Sequence, residues 1–319
     1  MSRLKSDRIL LYAALCCANM GDFITILLGL APSFLLIGLG GLVRGRLSAS
    51  AWLGLDKLNF EILFPALIFV AAASRPIAAP DLLTIGPAVW SIMLCGLFLG
   101  WWSRGFGPTS FLDFAGAWQT AWRFNTAIAF VAVGVAQQAD AAVLAIAIGM
   151  AVPVANILAV SALSRGGNLG KLATVGKVLR NPFLIASVAG ILVGVSGQNV
   201  PVLLMRPLNM LAQAAIPIAL LSIGATMNWT ALAKLDAFSG ILNATKLVAL
   251  PAIVLGFAKL FQLDGALIST LVVFAALPTA SAAHVLASAF GADRKRVATI
   301  IAQSTLLSGI TLPFWIFLS

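Results

Sequence analysis

The sequence predicts an all-α polytopic membrane protein with about ten transmembrane helices. Of its 319 residues, 61% are hydrophobic and only 9% are charged, whereas a soluble domain carries roughly 25% charged residues. The mean hydropathy is +1.04, and the apolar residues form long runs separated by short polar connections. Because each span needs about 20 apolar residues, the chain has room for about ten spans and little else.

The apolar runs place the spans along the chain. The predicted spans are 23–43, 52–73, 82–102, 111–136, 139–164, 182–197, 202–227, 239–260, 266–290 and 297–318. Residues 1–19 have a basic start, a short apolar run and small residues, a pattern shared with signal segments. Because Met20 stands close before the first full span, we interpret residues 1–19 as an N-terminal extension or a mis-assigned start.

Lysine and arginine residues are concentrated in alternate loops. One side holds Arg44, Arg46, Arg104, Arg165, Lys171, Lys177, Arg180, Lys234, Arg294, Lys295 and Arg296, and the other holds Arg75, Arg206 and Lys259 besides the basic residues of 1–19. Cytoplasmic loops carry the excess of positive residues. The sequence therefore predicts a multi-pass protein of the cell (inner) membrane with both termini on the non-cytoplasmic side. With no basic arm, the net charge of +10 does not indicate nucleic-acid binding.

The basic connection 165–181 divides the chain into two halves of five spans, 20–164 and 182–319. An odd number of spans per half makes a repeat inverted. Prolines recur in corresponding spans of the two halves. The pairs are Pro65 and Pro217, Pro87 and Pro251, and Pro153 and Pro313, with separations of 152, 164 and 160 residues. We therefore expect two inverted five-helix repeats joined by a cytoplasmic connection.

The ninth span contains a break that we expect to form part of a substrate site. Pro278 interrupts the apolar stretch 271–291, and Thr279 and Ser281 follow at once. A proline in mid-helix removes a backbone hydrogen bond and clashes with the preceding turn. In lipid, the freed backbone must be buried in protein or line a wet cavity, and secondary transporters build substrate sites from such broken helices. Pro278, Thr279 and Ser281 are therefore candidate substrate-binding residues.

The fourth span, the partner of the ninth in the predicted repeat, carries Arg123, Asn125 and Thr126 inside the membrane segment. Such residues cost free energy in lipid and should face protein or water. We expect Arg123 to bind a carboxylate through paired donors, and the alternatives are an interfacial position or an ion pair with Glu61. We expect Asn125 and Thr126 to cap a half-helix and point its positive end at the anion, and the alternative is an interhelical hydrogen bond.

Four further polar side chains in predicted spans are singled out for a role. His284, the only histidine, is a candidate for proton coupling because its unperturbed pKa is about 6.5, and the alternative is a structural hydrogen bond. Glu61 is a candidate coupling or pairing group. We interpret Lys246 as a structural cation and Asn156 as a packing residue.

A set of short stretches together resembles the auxin efflux carrier family, in which bacterial malonate carriers are found. The stretches are LNFEILFPALIF (58–69), NTAIAFVAVGVA (125–136), VPVANILAV (152–160), RNPFLIA (180–186), AAIPIALLSIGATM (214–227), KLVALPAIV (246–254), ALPTASAAHVLASAFGAD (276–293) and STLLSGITLPFW (304–315). The resemblance implies ten helices in two inverted repeats, with helices four and nine broken and crossing beside the substrate. It also implies a scaffold of helices one, two, six and seven, a moving domain formed by the other six, and organic anions as substrates.

One position departs from the family pattern. Ala132 stands where the fourth helix of the family usually has a proline. We therefore expect the break in the fourth span to be softer, or to depend on Asn125 and Gly134.

The combined pattern favours a secondary transporter of small organic anions that works by alternating access with an elevator-like movement. The sequence contains no Walker motif, nucleophile elbow or His-Glu-x-x-His motif, so it is not expected to be an enzyme, and neither a cofactor nor a metal site is expected. The alternatives are a sodium-coupled carrier of the bile-acid-symporter type and an anion-binding membrane receptor without transport. The expected partners are the anion, the lipid bilayer, a proton or sodium ion, and a second copy of the chain.

Overall fold

The computed structural model describes the backbone of residues 2–73, 79–165, 180, 182–263, 265–280 and 282–319, and side chains from residue 23 onward within these ranges except at 79–82, 285 and 289. The described residues form helices and connecting turns, with no strand among them. The predicted all-α class is therefore confirmed for this part of the chain.

Seven α-helices precede the connection at 165–181. They are α1 (Ser2–Val43), α2 (Ala49–Leu58), α3 (Phe64–Ala73), α4 (Ala79–Trp101), α5 (Phe111–Trp118), α6 (Thr126–Val135) and α7 (Ala141–Ser164). A π-helical turn, Asn59–Leu63, joins α2 to α3 without a break. The helix α1 is continuous across residue 20, where the sequence suggested the end of an extension.

Seven α-helices follow the connection in the described part of the chain. They are α8 (Pro182–Ser196), α9 (Val202–Thr226), α10 (Ala237–Ala244), α11 (Leu250–Phe261), α12 (Gly265–Ala276), α13 (Ala282–Ala289) and α14 (Arg294–Leu318). A π-helical turn, Thr245–Ala249, joins α10 to α11. The connection 165–181 lies almost entirely outside the described residues.

Six continuous helical segments are long and apolar enough to cross a membrane. They are Phe23–Arg46, Leu83–Phe106, Ala141–Ser164, Val202–Thr226, Ala237–Phe261 and Arg294–Leu318. The other four predicted spans correspond to α2–α3, to the short helix α8, and to the interrupted pairs α5–α6 and α12–α13. A multi-pass membrane protein is therefore confirmed at the level of helix length and composition.

Several helices begin after a polar N-cap residue near the end of a predicted span. Ser48, Ser110, Asp140, Asp236 and Asp293 each accept a hydrogen bond from a backbone N–H in the first turn that follows. These first N–H groups have no intrahelical acceptor, so a side-chain oxygen at this position defines where the helix begins.

Glycines allow two helix pairs to pack closely. α1 lies along α9, and a Cβ atom added at Gly224 would lie 1.7 Å from the carbonyl oxygen of Ile37. α3 lies along α8, where a Cβ atom at Gly190 would lie 2.9 Å from the carbonyl oxygen of Phe69. Small residues let membrane helices approach until backbone touches backbone. Elsewhere α1, α8 and α9 carry exposed leucines, such as Leu203 with 84% exposure, as expected of helices that face lipid.

Candidate functional site

Both predicted breaks interrupt their helices. The first follows α5, where a 3₁₀ turn at Gln119–Ala121 leads into non-helical residues before α6 begins at Thr126. The second follows α12, which ends at Ala276, and residues 277–280 are non-helical. The first break forms without a proline and ends at Asn125. The alternative that Gly134 produces it is wrong, because Gly134 lies in the last turn of α6.

The two breaks are in direct contact. The backbone N–H of Asn125 donates a hydrogen bond to the carbonyl oxygen of Pro278, with a nitrogen–oxygen distance of 2.9 Å. Next to this bond, the rings of Phe124 and Phe274 pack with their centroids 4.7 Å apart. The non-helical backbone of each break therefore finds part of its hydrogen bonding in the other break, which meets the requirement that such backbone be buried in protein at membrane depth.

Asn125 is the N-cap of α6. Its Oδ1 accepts hydrogen bonds from the backbone N–H groups of Ala127 at 3.0 Å and Ile128 at 3.2 Å, so the predicted capping role of Asn125 is confirmed. Thr126 is the first residue of α6 and is partly buried. The Nδ2 group of Asn125 has no acceptor among the described residues. It can therefore donate to a bound anion at the positive end of α6.

Arg123 is buried between amide groups. The residue is 5% exposed, its Nε donates to Oε1 of Gln119 at 2.8 Å, and its Nη2 donates to Oδ1 of Asn156 at 3.0 Å. The amide nitrogen of Gln119 donates to the carbonyl oxygens of Gly116 and Ala283, which turns its oxygen towards the guanidinium. Our interpretation of Asn156 as a packing residue is therefore wrong. Within the described ranges, the guanidinium has neutral partners and no carboxylate.

Two buried polar atoms on the breaks lack a hydrogen-bond partner in the described structure. They are the hydroxyl oxygen of Thr279 and the indole nitrogen of Trp122, and each residue is 1% exposed. The backbone N–H of Thr279 donates to Oγ of Ser304 at 3.0 Å, so its backbone N–H has a partner while its hydroxyl has none in the described structure. An unpaired buried polar group costs about 1–3 kcal/mol and calls for an explanation such as a missing ligand.

Sequence reasoning missed Trp122, Ser304 and the role of Asn156. The signal for Asn156 was available, because it is an amide inside an otherwise apolar span. Trp122 and Ser304 carry no such signal, since a tryptophan and a serine are common in membrane helices for packing and local hydrogen bonds.

Glu61 lies away from this site. It is exposed on the π-helical turn between α2 and α3, and it faces a groove of about 410 Å³ that is lined by Ile62, Pro65, Ala66, Phe69, Ala186, Leu208 and Leu211. The alternative in which Arg123 forms an ion pair with Glu61 is wrong, because Arg123 contacts Gln119 and Asn156 instead.

The remaining candidates lie along the second break. Pro278 and Thr279 are buried in it, and His284 is partly buried on α13 beyond it. Ser281 lies outside the described residues. Among the residues that are described, no three His, Cys, Asp or Glu side chains come together as a metal site would require.

The two broken helices meet inside an apolar helical bundle, an arrangement from which secondary transporters build their substrate sites. Residues 171–316 match the family model described as "Membrane transport protein". This match confirms the resemblance to the auxin efflux carrier family that the sequence shows.

Two curated relatives support the same class. The chain is 30% identical over 159 residues to a protein of Rhizobium meliloti (strain 1021) named "Putative malonate transporter", an alignment that covers 48% of this chain and 50% of the relative. It is 32% identical over 108 residues to an "Uncharacterized transporter" of Methanothermobacter thermautotrophicus, which covers 34% of this chain and 36% of the relative. The chain thus matches half or less of the length of these relatives.

Proposed function

We propose that the protein is a secondary active transporter that moves small carboxylate anions across the membrane by alternating access. The observation that carries this proposal is the buried guanidinium of Arg123, which has no described carboxylate partner and lies two residues from the contact between the breaks. A buried charge is costly unless it is paired. A carboxylate substrate would supply the missing partner, and a guanidinium can bind it with two parallel hydrogen bonds.

The other candidates surround the anion in this proposal. Asn125 donates through its Nδ2 group, and Thr126 lies at the positive end of α6, which favours a negative charge. Thr279 donates its unpartnered hydroxyl, and Pro278 keeps the backbone before it non-helical. Ser281, which lies outside the described residues, completes the set by the sequence prediction alone.

Small dicarboxylates are the first substrates to test. The relative from Rhizobium meliloti carries the name of a putative malonate transporter, so malonate is the first member of this class to test. Monocarboxylates and indole acids form the comparison set.

We further propose ten spans in two inverted repeats, 20–164 and 182–319. The packing supports this arrangement, because α1 lies along α9 while α8 lies along α3, and α1 contacts α14 while α8 contacts α7. In the first pair of contacts, the first span of each half lies along the second span of the other half. In the second pair, the first span of each half contacts the fifth span of the other half. α1, α2–α3, α8 and α9 would form a scaffold, and the remaining helices a domain that moves in an elevator-like manner.

The orientation follows from the basic loops. The connection 165–181 would be cytoplasmic and both termini would lie outside, in the inner membrane. His284 is the candidate for proton coupling, and Glu61 is a weaker candidate because it lines an outer groove. Transport by His284→Gln with an unchanged pH dependence would remove His284 from that role.

The test of the proposed function is anion binding followed by flux. The melting temperature of the purified protein should rise with malonate concentration, because a ligand that binds only the folded state stabilises it by mass action. Arg123→Gln should weaken malonate binding by about 2 kcal/mol or more, roughly 30-fold. The matched control is Arg165→Gln, which removes an exposed arginine at the end of α7 and should bind like the wild type.

Vesicles separate transport from binding. Reconstituted protein should accumulate labelled malonate or a related carboxylate, and Arg123→Gln vesicles should not. Binding without flux would favour the receptor alternative, and unchanged malonate affinity in Arg123→Gln would contradict the proposed site.

A further inference from the structure

A second buried cation lies at the second break. Lys246 is 2% exposed, and its Nζ donates to the carbonyl oxygen of Ala275 at 2.9 Å. Ala275 belongs to the last turn of α12, where carbonyl groups have no intrahelical donor. This is the one hydrogen bond of the Lys246 ammonium within the described residues.

The position of Lys246 is set by a proline and a tryptophan. Pro251 has no N–H to donate to the carbonyl of Leu247 four residues earlier, and the indole N–H of Trp315 on α14 donates to that carbonyl at 2.7 Å instead. The π-helical turn Thr245–Ala249 is therefore anchored to α14 directly beside Lys246. The backbone that carries Lys246 is thus tied to α14, and its side chain is tied to α12 by the hydrogen bond to Ala275.

The C-terminal end of a helix carries a partial negative charge that attracts cations. In transporters with broken helices, such ends and their unwound carbonyls can coordinate a coupling sodium ion. Lys246 presents a compact ammonium group on a flexible stem to the same kind of oxygen. A cation that is covalently attached needs no recruitment from solution.

We propose that Lys246 is a built-in cation that takes the place of a coupling metal ion at the end of α12, so that the protein holds its broken helix and binds its anion without sodium. Sodium-independent binding of the anion rests on the proposed function, whereas sodium-independent stability of the broken helix does not. In this proposal Arg123 at the first break binds the substrate, and Lys246 at the second break offsets the partial negative charge at the end of α12.

The experiment measures the melting temperature of the purified full chain without substrate. The wild type, Lys246→Ala, Lys246→Met and the control Lys259→Ala are compared in sodium chloride and in choline chloride at equal ionic strength, and then with added ethylammonium chloride. Lys259 is an exposed lysine near the end of α11. Ethylammonium is a free ammonium small enough to enter the space left by the lysine side chain.

For the wild type and for Lys259→Ala, we expect the melting temperature in sodium chloride to equal that in choline chloride. Added ethylammonium should not change the melting temperature of either protein. Lys246→Ala should melt several degrees lower, and ethylammonium should raise its melting temperature in a saturable way. Lys246→Met, which keeps the apolar stem and loses the charge, should also melt lower.

Three results would overturn the proposal. They are a saturable stabilisation of the wild type by sodium over choline, a Lys246→Met variant as stable as the wild type, and the absence of ethylammonium rescue in Lys246→Ala. If Lys246→Ala does not fold, the first two measurements still decide. A separate malonate titration of the wild type tests the proposed function, so that a missing malonate response and a sodium response are distinct failures.

Discussion

The backbone N–H of Asn125 donates a hydrogen bond to the carbonyl oxygen of Pro278, with 2.9 Å between nitrogen and oxygen. The two residues lie in different halves of the chain, and each lies in the break of its own span. Neither break alone can satisfy its backbone inside a membrane. Residues of both halves therefore form the candidate site. Substitutions there should affect the melting temperature and anion binding in ways that can be measured separately.

The two roles of Asn125 can be separated by two substitutions. Asn125→Ala removes the cap of α6 and should cost about 1 kcal/mol of stability, together with the response to malonate. Asn125→Asp keeps an N-cap oxygen and should retain most of the melting temperature, because aspartate caps as well as asparagine. It should nevertheless lose malonate binding, since its charge repels the anion. Melting curves with and without malonate measure both effects, and malonate stabilisation of Asn125→Asp would contradict the assignment.

Gly96 on α4 should tolerate no side chain. A Cβ atom there would lie 2.6 Å from the carbonyl oxygen of Ala121 in the first break, so Gly96→Ala must displace backbone and should cost about 1–3 kcal/mol. Gly240 on α10 has no atom within 4 Å of such a Cβ, and Gly240→Ala should stabilise by about 0.5–1 kcal/mol. Opposite shifts in melting temperature are expected. Equal shifts in melting temperature for the two variants would show that Gly96 is not in close contact with the carbonyl oxygen of Ala121.

The capping box of α10 should make stability depend on pH. Burial raises the pKa of Asp236, but hydrogen bonds from Ser239 and the charge of Arg296 lower it more, so the pKa lies below its ordinary value of 3.8. A depressed pKa stabilises the folded state above the unfolded value, and this contribution is lost as pH falls through the folded value. The wild type should therefore melt above Asp236→Asn at pH 7, with a difference that shrinks below about pH 4. A difference that grows on acidification would contradict this assignment.

Glu61 should be dispensable for anion binding. Because it faces the outer groove rather than the breaks, Glu61→Gln is expected to leave the malonate-induced rise in melting temperature unchanged. The pH dependence of uptake into vesicles should also match that of the wild type. A tenfold loss of malonate affinity in this variant would bring Glu61 back as a coupling group.

Much of the fold was predictable from local patterns. The predicted spans 182–197 and 202–227 correspond to Pro182–Ser196 and Val202–Thr226, because runs of apolar residues and their polar ends are sufficient to define a membrane helix. The break at Pro278 was predictable for the same local reason, since a proline removes a specific hydrogen bond. The capping role of Asn125 also follows from residue type.

The hydrogen-bond partners of side chains on different spans were not predictable in the same way. The pairing of Arg123 with Gln119 and Asn156, rather than with Glu61, joins side chains from different spans, and hydropathy contains no information on which faces meet.

The sequence by itself determined that the chain is an all-helical membrane protein, where most of its spans lie, and that the fourth and ninth are unusual, because these properties depend on residues close together in the chain. Only the tertiary structure decided that the two breaks touch, that Glu61 faces outward, and that Lys246 reaches the end of α12. The physical reason is that packing in a membrane depends on shape and hydrogen bonding between distant segments, while insertion depends on the apolar length of each segment alone.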